Sequence, residues 1–273
     1  MYLPNTYTSS RLLRPSIKTN PSSYAAVLRI ATFLLVLCIA CFCAVWQSKA
    51  HAQTLQTENI TPFEVVYDVG NNLITAGSAK LSLKKEGDEW IYSLNTLPSG
   101  IFKLTGQGRI QEISVMTINN QQLQPKRYTY RQDEKAKRSI DAWFNWENNE
   151  LTYRRKGVQS TEPLQDPILD RLSVTLSVRE QLRTGFDQAA AQVFDNGRIK
   201  TIIFSNEGTE ILSTKLGRQE AIKVKSYHKE GTRKRVTTTW FAPGLDYVPV
   251  VIEQHKEGKL VARLTISKLN NNK

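Results

Sequence analysis

His228-Lys229-Glu230-Gly231 and His255-Lys256-Glu257-Gly258 carry the histidines from which a metal site would have to be built. Two imidazoles can begin such a site, but zinc takes four ligands and no carboxylate stands at a firm ligand spacing from either one. Two exposed turn histidines are the plain reading, and no metal or other cofactor is expected. Ser173 follows Asp170 by three residues, yet no histidine is placed by sequence to activate it as a nucleophile. Asp170 is expected to meet the start of a helix instead, and Ser173 to bond locally. The chain has no G-x-S-x-G and no H-E-x-x-H motif. Gly106-Gln107-Gly108 lacks the third glycine of a dinucleotide loop and sits in a strand-like run. No nucleotide or nucleic-acid partner is expected. The carboxylates have no informative spacing for glycoside hydrolysis. An envelope-polymer hydrolase would need Asp170 or Asp141 to converge with Arg138 in a cleft.

Basic clusters are the remaining chemistry. Arg154-Arg155-Lys156 and Arg233-Lys234-Arg235 each lie at the end of a predicted strand. With Lys229, Lys256 and Lys259, the second cluster would form a basic rim beside the two histidine tips. Such a rim suits lipid phosphates or an anionic membrane surface. It equally suits a strand edge guarded by charge against aggregation.

The elements that must position these residues are mostly strands. Short alternating runs separated by turn residues cover Phe63–Val69, Leu73–Leu83, Trp90–Leu97, Phe102–Thr117, Arg127–Arg131, Ser139–Trp146 and Leu151–Arg155. The second half adds Ala191–Phe194, Arg198–Phe204, Glu210–Leu216, Ala221–Tyr227, Arg235–Phe241, Val248–His255 and Leu260–Leu269. Asp195-Asn196-Gly197 is the strongest hairpin signal, because Asn-Gly tolerates the positive φ of a type I′ turn. The strands between the two histidine tips go out and back, which predicts both tips at one sheet end, roughly 10 Å apart. Trp90, Tyr92, Trp143, Trp146 and Trp240 alternate in strands, as core or cross-strand partners or as pocket walls.

One segment breaks the pattern. Residues 166–183 read as a helix that Asp166 can cap, with Pro167 at its first position and Gly185 at its end. Leu169, Leu172 and Leu176 line one face, and Val174, Val178 and Leu182 another. A face that wide predicts a helix largely buried in the hollow of a curved sheet. Residues 156–166 are the natural division between the halves, and one continuous sheet is expected across them. The fold expected is mainly β: a curved antiparallel sheet or open barrel with one apolar helix, after an N-terminal signal helix.

The beginning of the chain is of another kind. Residues 30–46 are 17 consecutive uncharged, mostly apolar residues, preceded by Arg11, Arg14, Lys18 and Arg29 and followed by Ala50-His51-Ala52. A basic region, an apolar region and an A-x-A site form a secretory signal, with the cut predicted between Ala52 and Gln53. The apolar run also nearly reaches the roughly 20 residues of a spanning helix, so retention as an inner-membrane anchor is the alternative. In both readings the domain from Gln53 onward lies in the periplasm. Five of the 37 Lys and Arg residues precede Gln53 and none of the 25 acidic ones does, which leaves the exported part at +7. Cys38, Cys41 and Cys43 all fall in the apolar run, so the exported part has no thiol chemistry and needs no disulfide.

Phe63-x-x-x-Tyr67-Asp68-Val69 with Gly77, Leu123-x-Pro125-x-x-Tyr128, Asp170-x-Leu172-Ser173, and Thr239-Trp240-Phe241-Ala242-Pro243 with Pro249 together resemble a bacterial envelope family. It is catalogued as domain of unknown function 3108. The resemblance covers nearly the whole exported chain. It implies a Gram-negative periplasmic protein with no catalytic residues to carry over, and an open curved sheet around a helix, reminiscent of lipoprotein-localisation factors. A non-enzymatic binder of a lipid-like ligand or a lipidated partner is the expected function. The alternatives are an assembly partner of envelope proteins that uses an exposed strand edge, and the hydrolase above.

Overall fold

The computed structural model describes residues 60–70, 74–100, 108–133, 135–164, 167–229 and 235–270. The export segment, the Ala52–Gln53 junction and the basic pair Arg233 and Lys234 lie outside the described residues. Among the described residues, no helix is long and apolar enough to cross a membrane.

Alternation builds the first half. Strand β1 (Phe63–Gly70) turns Phe63, Val65 and Tyr67 inward and its intervening residues outward, as a period of two requires. It is followed by β2 (Thr75–Glu86), β3 (Glu89–Pro98), β4 (Ile110–Asn119), β5 (Gln122–Gln132), β6 (Ile140–Asn145), β7 (Glu150–Arg155) and β8 (Val158–Pro163), each antiparallel to the one before. The chain then passes through the short β9 (Ile168–Asp170) and the helix α1 (Ser173–Thr184). The second meander is β10 (Gln188–Phe194), β11 (Ile199–Thr214), β12 (Gly217–His228), β13 (Arg235–Ala242), β14 (Val248–Lys256) and β15 (Lys259–Asn270).

All fifteen strands form one sheet, in the order β8-β7-β6-β5-β4-β3-β2-β1-β15-β14-β13-β12-β11-β10-β9. The halves are joined where β1 pairs antiparallel with β15, not across residues 156–166. That segment instead contains β8, one edge strand of the sheet among the described residues, and leads on to β9, the other. The expected mainly β architecture is observed, as an open curved sheet that hydrogen bonds do not close into a barrel.

Three local readings change. The helix begins at Ser173, because Ile168–Asp170 pair parallel with β10 and are buried on both faces. Val158–Pro163 is a strand, although its alternation is polar, because it lies at an edge facing solvent. The runs 198–204 and 210–216 are one strand. A bulge between Asn206 and Thr209 absorbs Gly208, whose φ is 86°, and Asn206 Oδ1 accepts the Gly208 N–H at 3.0 Å.

Side chains do what backbone pairing does not. Phe194, at the end of β10, packs edge-on against Tyr128 and Phe144 and tilted against Tyr153, so the β10 edge region seats on the inner face of β5–β7. A second and larger apolar core lies between α1 and the rest of the sheet. Val174, Leu176, Val178 and Leu182 meet residues such as Leu81, Phe241 and Val250 there.

Both ends of α1 are fixed. Asp170 Oδ1 accepts the N–H groups of Leu172 and Ser173 at 2.8 and 2.9 Å, while Ser173 Oγ accepts the Asp170 N–H at 2.8 Å. This reciprocal pair satisfies donors that the first helical turn leaves open. Gly185, with φ 81°, ends the helix as expected, and its N–H donates to the Gln181 carbonyl. Toward this end Arg179 is almost fully buried over the Phe63 ring, 4.9 Å from its centroid. It donates to both the carbonyl and the carboxylate of Asp246, in the turn between β13 and β14. Arg183 donates to the same carboxylate at 2.5 Å and to Glu180 at 2.8 Å. Glu180, 3.5 Å away, and Asp246 offset part of the Arg179 desolvation, which still outweighs them and holds its pKa below the usual arginine value.

Candidate functional site

Leu172, just before α1, and Val174 and Val178 on the helix do not fill the space above the sheet. A hollow of about 440 Å³ remains between them and the inward side chains of Leu81, Phe204, Val224 and Phe241. Its floor is apolar. Glu112, Arg171, His228 and His255 are among the polar residues that also line the hollow.

A second cavity of about 570 Å³ adjoins it, and Arg171, Asp195, His228 and Arg235 line both. Seven of its twelve lining residues are lysine or arginine, and Asp195 is the carboxylate among them. The cations arrive from separate elements: Arg138 from the connection before β6, Arg155 from the end of β7, Lys200 from β11 and Arg235 from the start of β13.

Arg171 stands at the junction. Its Nη2 is 3.2 Å from Glu112 Oε1, its Nε is 3.9 Å from Asp195 Oδ1, and its guanidinium lies over the Tyr130 ring, 6.0 Å from the centroid. Glu112 is buried and also accepts the Tyr128 hydroxyl at 3.0 Å. Asp195 receives Lys200 at 2.7 Å. Burial pushes the Asp195 carboxyl up, but Lys200 and Arg171 hold it below the ordinary aspartate value. Glu112 and Arg171 were not legible as site residues. The signal that could have found them is β4 itself, where Glu112 and Ser114 occupy inward positions between apolar neighbours.

Of the residues singled out in sequence, His228 and His255 lie at one end of the sheet on β12 and β14 with β13 between them, and both line the hollow. His228 Nδ1 is buried with no hydrogen-bond partner. Burial, with the nearby Lys200 and Arg235 outweighing Asp195, holds its pKa below the usual histidine value. The imidazole is therefore neutral at neutral pH. His255 Nε2 is 3.8 Å from Glu253. Among the described residues, no three His, Cys, Asp or Glu side chains gather as metal ligands. Arg235 lines both cavities, and the predicted cluster Arg154-Arg155-Lys156 contributes Arg155 and Lys156 to the basic one.

Asp170, Ser173 and Trp240 stand elsewhere. Asp170 and Ser173 are sealed in the helix cap, with Ser114 Oγ donating to Asp170 Oδ2 at 2.5 Å. Trp240 is buried outside the hollow, donating to Glu210 at 2.9 Å with Lys223 over its ring. Asp141 is held by Arg131 at 2.6 Å, whereas Arg138 faces the basic cavity, so the groups named for a hydrolase do not converge.

Among solved structures, the chain is similar to a beta-barrel-like protein of domain of unknown function DUF1849 from Brucella abortus. That match has a TM-score of 0.54 and 9% identity, over 77% of this chain and 97% of that one. This likeness concerns the fold alone. Weaker matches are a protein from Bacteroides fragilis described as exported with a YmcC-like fold (TM-score 0.33, 10% identity, 78% and 97% covered) and one from Parabacteroides distasonis described as a lipoprotein (TM-score 0.29, 10% identity, 77% and 96% covered). No curated protein matches. Residues 63–265 match the family described as Protein of unknown function (DUF3108), and the chain belongs to that family.

Proposed function

We propose that this protein acts in the periplasm as a non-enzymatic carrier that shelters the hydrocarbon part of a lipid-like ligand, or of a lipidated partner, between α1 and the sheet. The observation behind this reading is the hollow of about 440 Å³, walled by Leu81, Val178, Phe204, Val224 and Phe241. Its size falls in the ordinary range for small-molecule sites. Apolar walls that face no partner atoms forgo dispersion contacts, and a hydrocarbon chain restores them. Each methylene moved there from water contributes about 0.8 kcal/mol. The leader read from the sequence supports the compartment, and the basic rim suits docking on an anionic membrane surface where such a carrier would load.

The test is native mass spectrometry of the protein expressed from its full sequence and purified gently from the cell envelope. The expected result is an adduct of lipid mass that Val224→Phe removes, since the larger ring occupies the hollow at a cost of about 1–3 kcal/mol in overpacking. A bare chain in both proteins would sink the carrier reading. A second reading, an assembly partner recruited by strand addition, is favoured by β8. That strand is a free edge of the sheet, and Val158 is 64% exposed at its start.

A further inference from the structure

We infer that the ligand is an anionic amphiphile whose phosphate head occupies the basic cavity while its hydrocarbon tail lies in the hollow. This rests on the carrier reading and adds the chemical class of the ligand. The first support is continuity: four residues, Arg171, Asp195, His228 and Arg235, face both spaces, so one molecule can span them. The second is charge. Arg171 and Lys200 are offset by Glu112 and Asp195, but five cations of the cavity have no carboxylate partner among the described residues. Among the described residues, Arg155 donates to the Asn196 side chain at 3.0 Å and Arg138 to Gln132 at 3.4 Å. Lys137, Lys156 and Arg235 make no ion pair with a described residue. Five like charges turned toward one space repel one another, and a compact anion with several acceptor oxygens relieves that repulsion. Neutral heads supply none of this relief, and zwitterionic heads bring their own cation.

The third support is geometry. Arginine forks match the paired oxygens of a phosphate, and Arg138, Arg155, Arg171 and Arg235 come from four segments that only the fold brings together. Charge that merely guards strand edges would be spread along those edges, and these side chains surround a cavity. The His228 Nδ1 atom, buried and unpaired on the shared wall, adds a polar group positioned for an oxygen of the head.

The experiment compares binding of oleoyl lysophosphatidic acid, lysophosphatidylcholine, monoolein and inorganic phosphate to the delipidated protein by calorimetry at two salt concentrations. The same is done for a variant carrying Lys137→Gln, Lys156→Gln and Arg235→Gln. These three side chains are exposed and unpaired by acids, so the variant is expected to keep the wild-type circular dichroism spectrum. Lysophosphatidic acid should bind at least tenfold more tightly than monoolein. The triple variant should lose that advantage while keeping monoolein affinity, and added salt should do the same. Equal affinity for the charged and uncharged lipids would overturn the head-group inference and leave the carrier reading intact. Preference for lysophosphatidylcholine over lysophosphatidic acid would also overturn it. Binding of inorganic phosphate with no lipid bound would overturn both the amphiphile and the carrier, leaving a site for a soluble anion. No binding by any probe would overturn all three.

Discussion

The hydroxyl of Ser114 on β4 donates to the buried carboxylate of Asp170 on β9 at 2.5 Å, joining strands that lie ten places apart in the sheet order. Together with the adjacent Glu112–Arg171 pair, this bond holds the β9 edge and the start of α1 against the first meander. The hollow and the basic cavity both depend on that placement.

Ser114→Ala should therefore destabilise the protein by about 1–3 kcal/mol, since Asp170 Oδ2 is left buried with no donor. Burial raises the Asp170 pKa, and the Ser114 bond is the foremost of the interactions opposing it. An acid whose folded pKa lies above its unfolded value costs stability as pH rises through that interval. The deficit of the variant should accordingly be larger at neutral pH than near pH 4. Urea denaturation at both values measures it, and a pH-independent deficit would contradict the assignment.

Asp246 predicts the opposite sign. Burial pushes its carboxyl up, but the Thr61 hydroxyl, Arg183 and Arg179 together hold it below the ordinary aspartate value. Its contribution is present above the unfolded value near 3.8 and is lost as pH falls through the depressed folded value. Asp246→Asn should lower the melting temperature at pH 7, and the gap to wild type should close in strong acid. Melting curves from pH 2.5 to 7 provide the check.

Phe194 is fully buried and touches Tyr128, Phe144 and Tyr153. Phe194→Ala should cost about 3–5 kcal/mol. Because this ring seats β10 on β5–β7, amide exchange should accelerate in β9 and β10 more than in β1 and β15. Uniform acceleration would mean that the two halves unfold as one unit.

Under the proposed lipid binding, His228 would couple binding to protons. The groups around it are Lys200 on β11, Asp195 beside it, Arg171 before α1 and Arg235 on β13, and its pKa is lowered by burial first and then by the cations. Its neutral form stabilises the fold above the unfolded value near 6.5, and that advantage is lost as pH falls toward the lower folded value. An anionic head nearby favours the imidazolium. Affinity for lysophosphatidylglycerol, whose phosphodiester does not titrate in this range, should rise as pH drops from 7.5 to 5. His228→Gln should flatten the profile, and an unchanged profile would place the proton elsewhere.

The sequence by itself determined the elements whose signals are local. Period-two alternation marked β1, β3, β12 and β14, and Asn196-Gly197 marked a hairpin in which both residues have positive φ, 54° and 75°. The apolar faces of residues 169–182 marked a buried helix, and the motifs from Phe63 to Pro249 marked the family. Only the tertiary structure decided what lies across long sequence separations. It put Arg155, Arg171 and Arg235 around one cavity, sealed Asp170 into a cap with Ser114, and drew Ile168–Asp170 into a strand through β10. Parallel pairing, charge convergence and cavity volume depend on where distant segments meet, and no residue spacing within one segment encodes that. The same reason made the His228 and His255 tips legible, because they are separated by a single out-and-back pair of strands, and left Glu112 and Arg171 hidden, because their meeting depends on the curvature of the whole sheet.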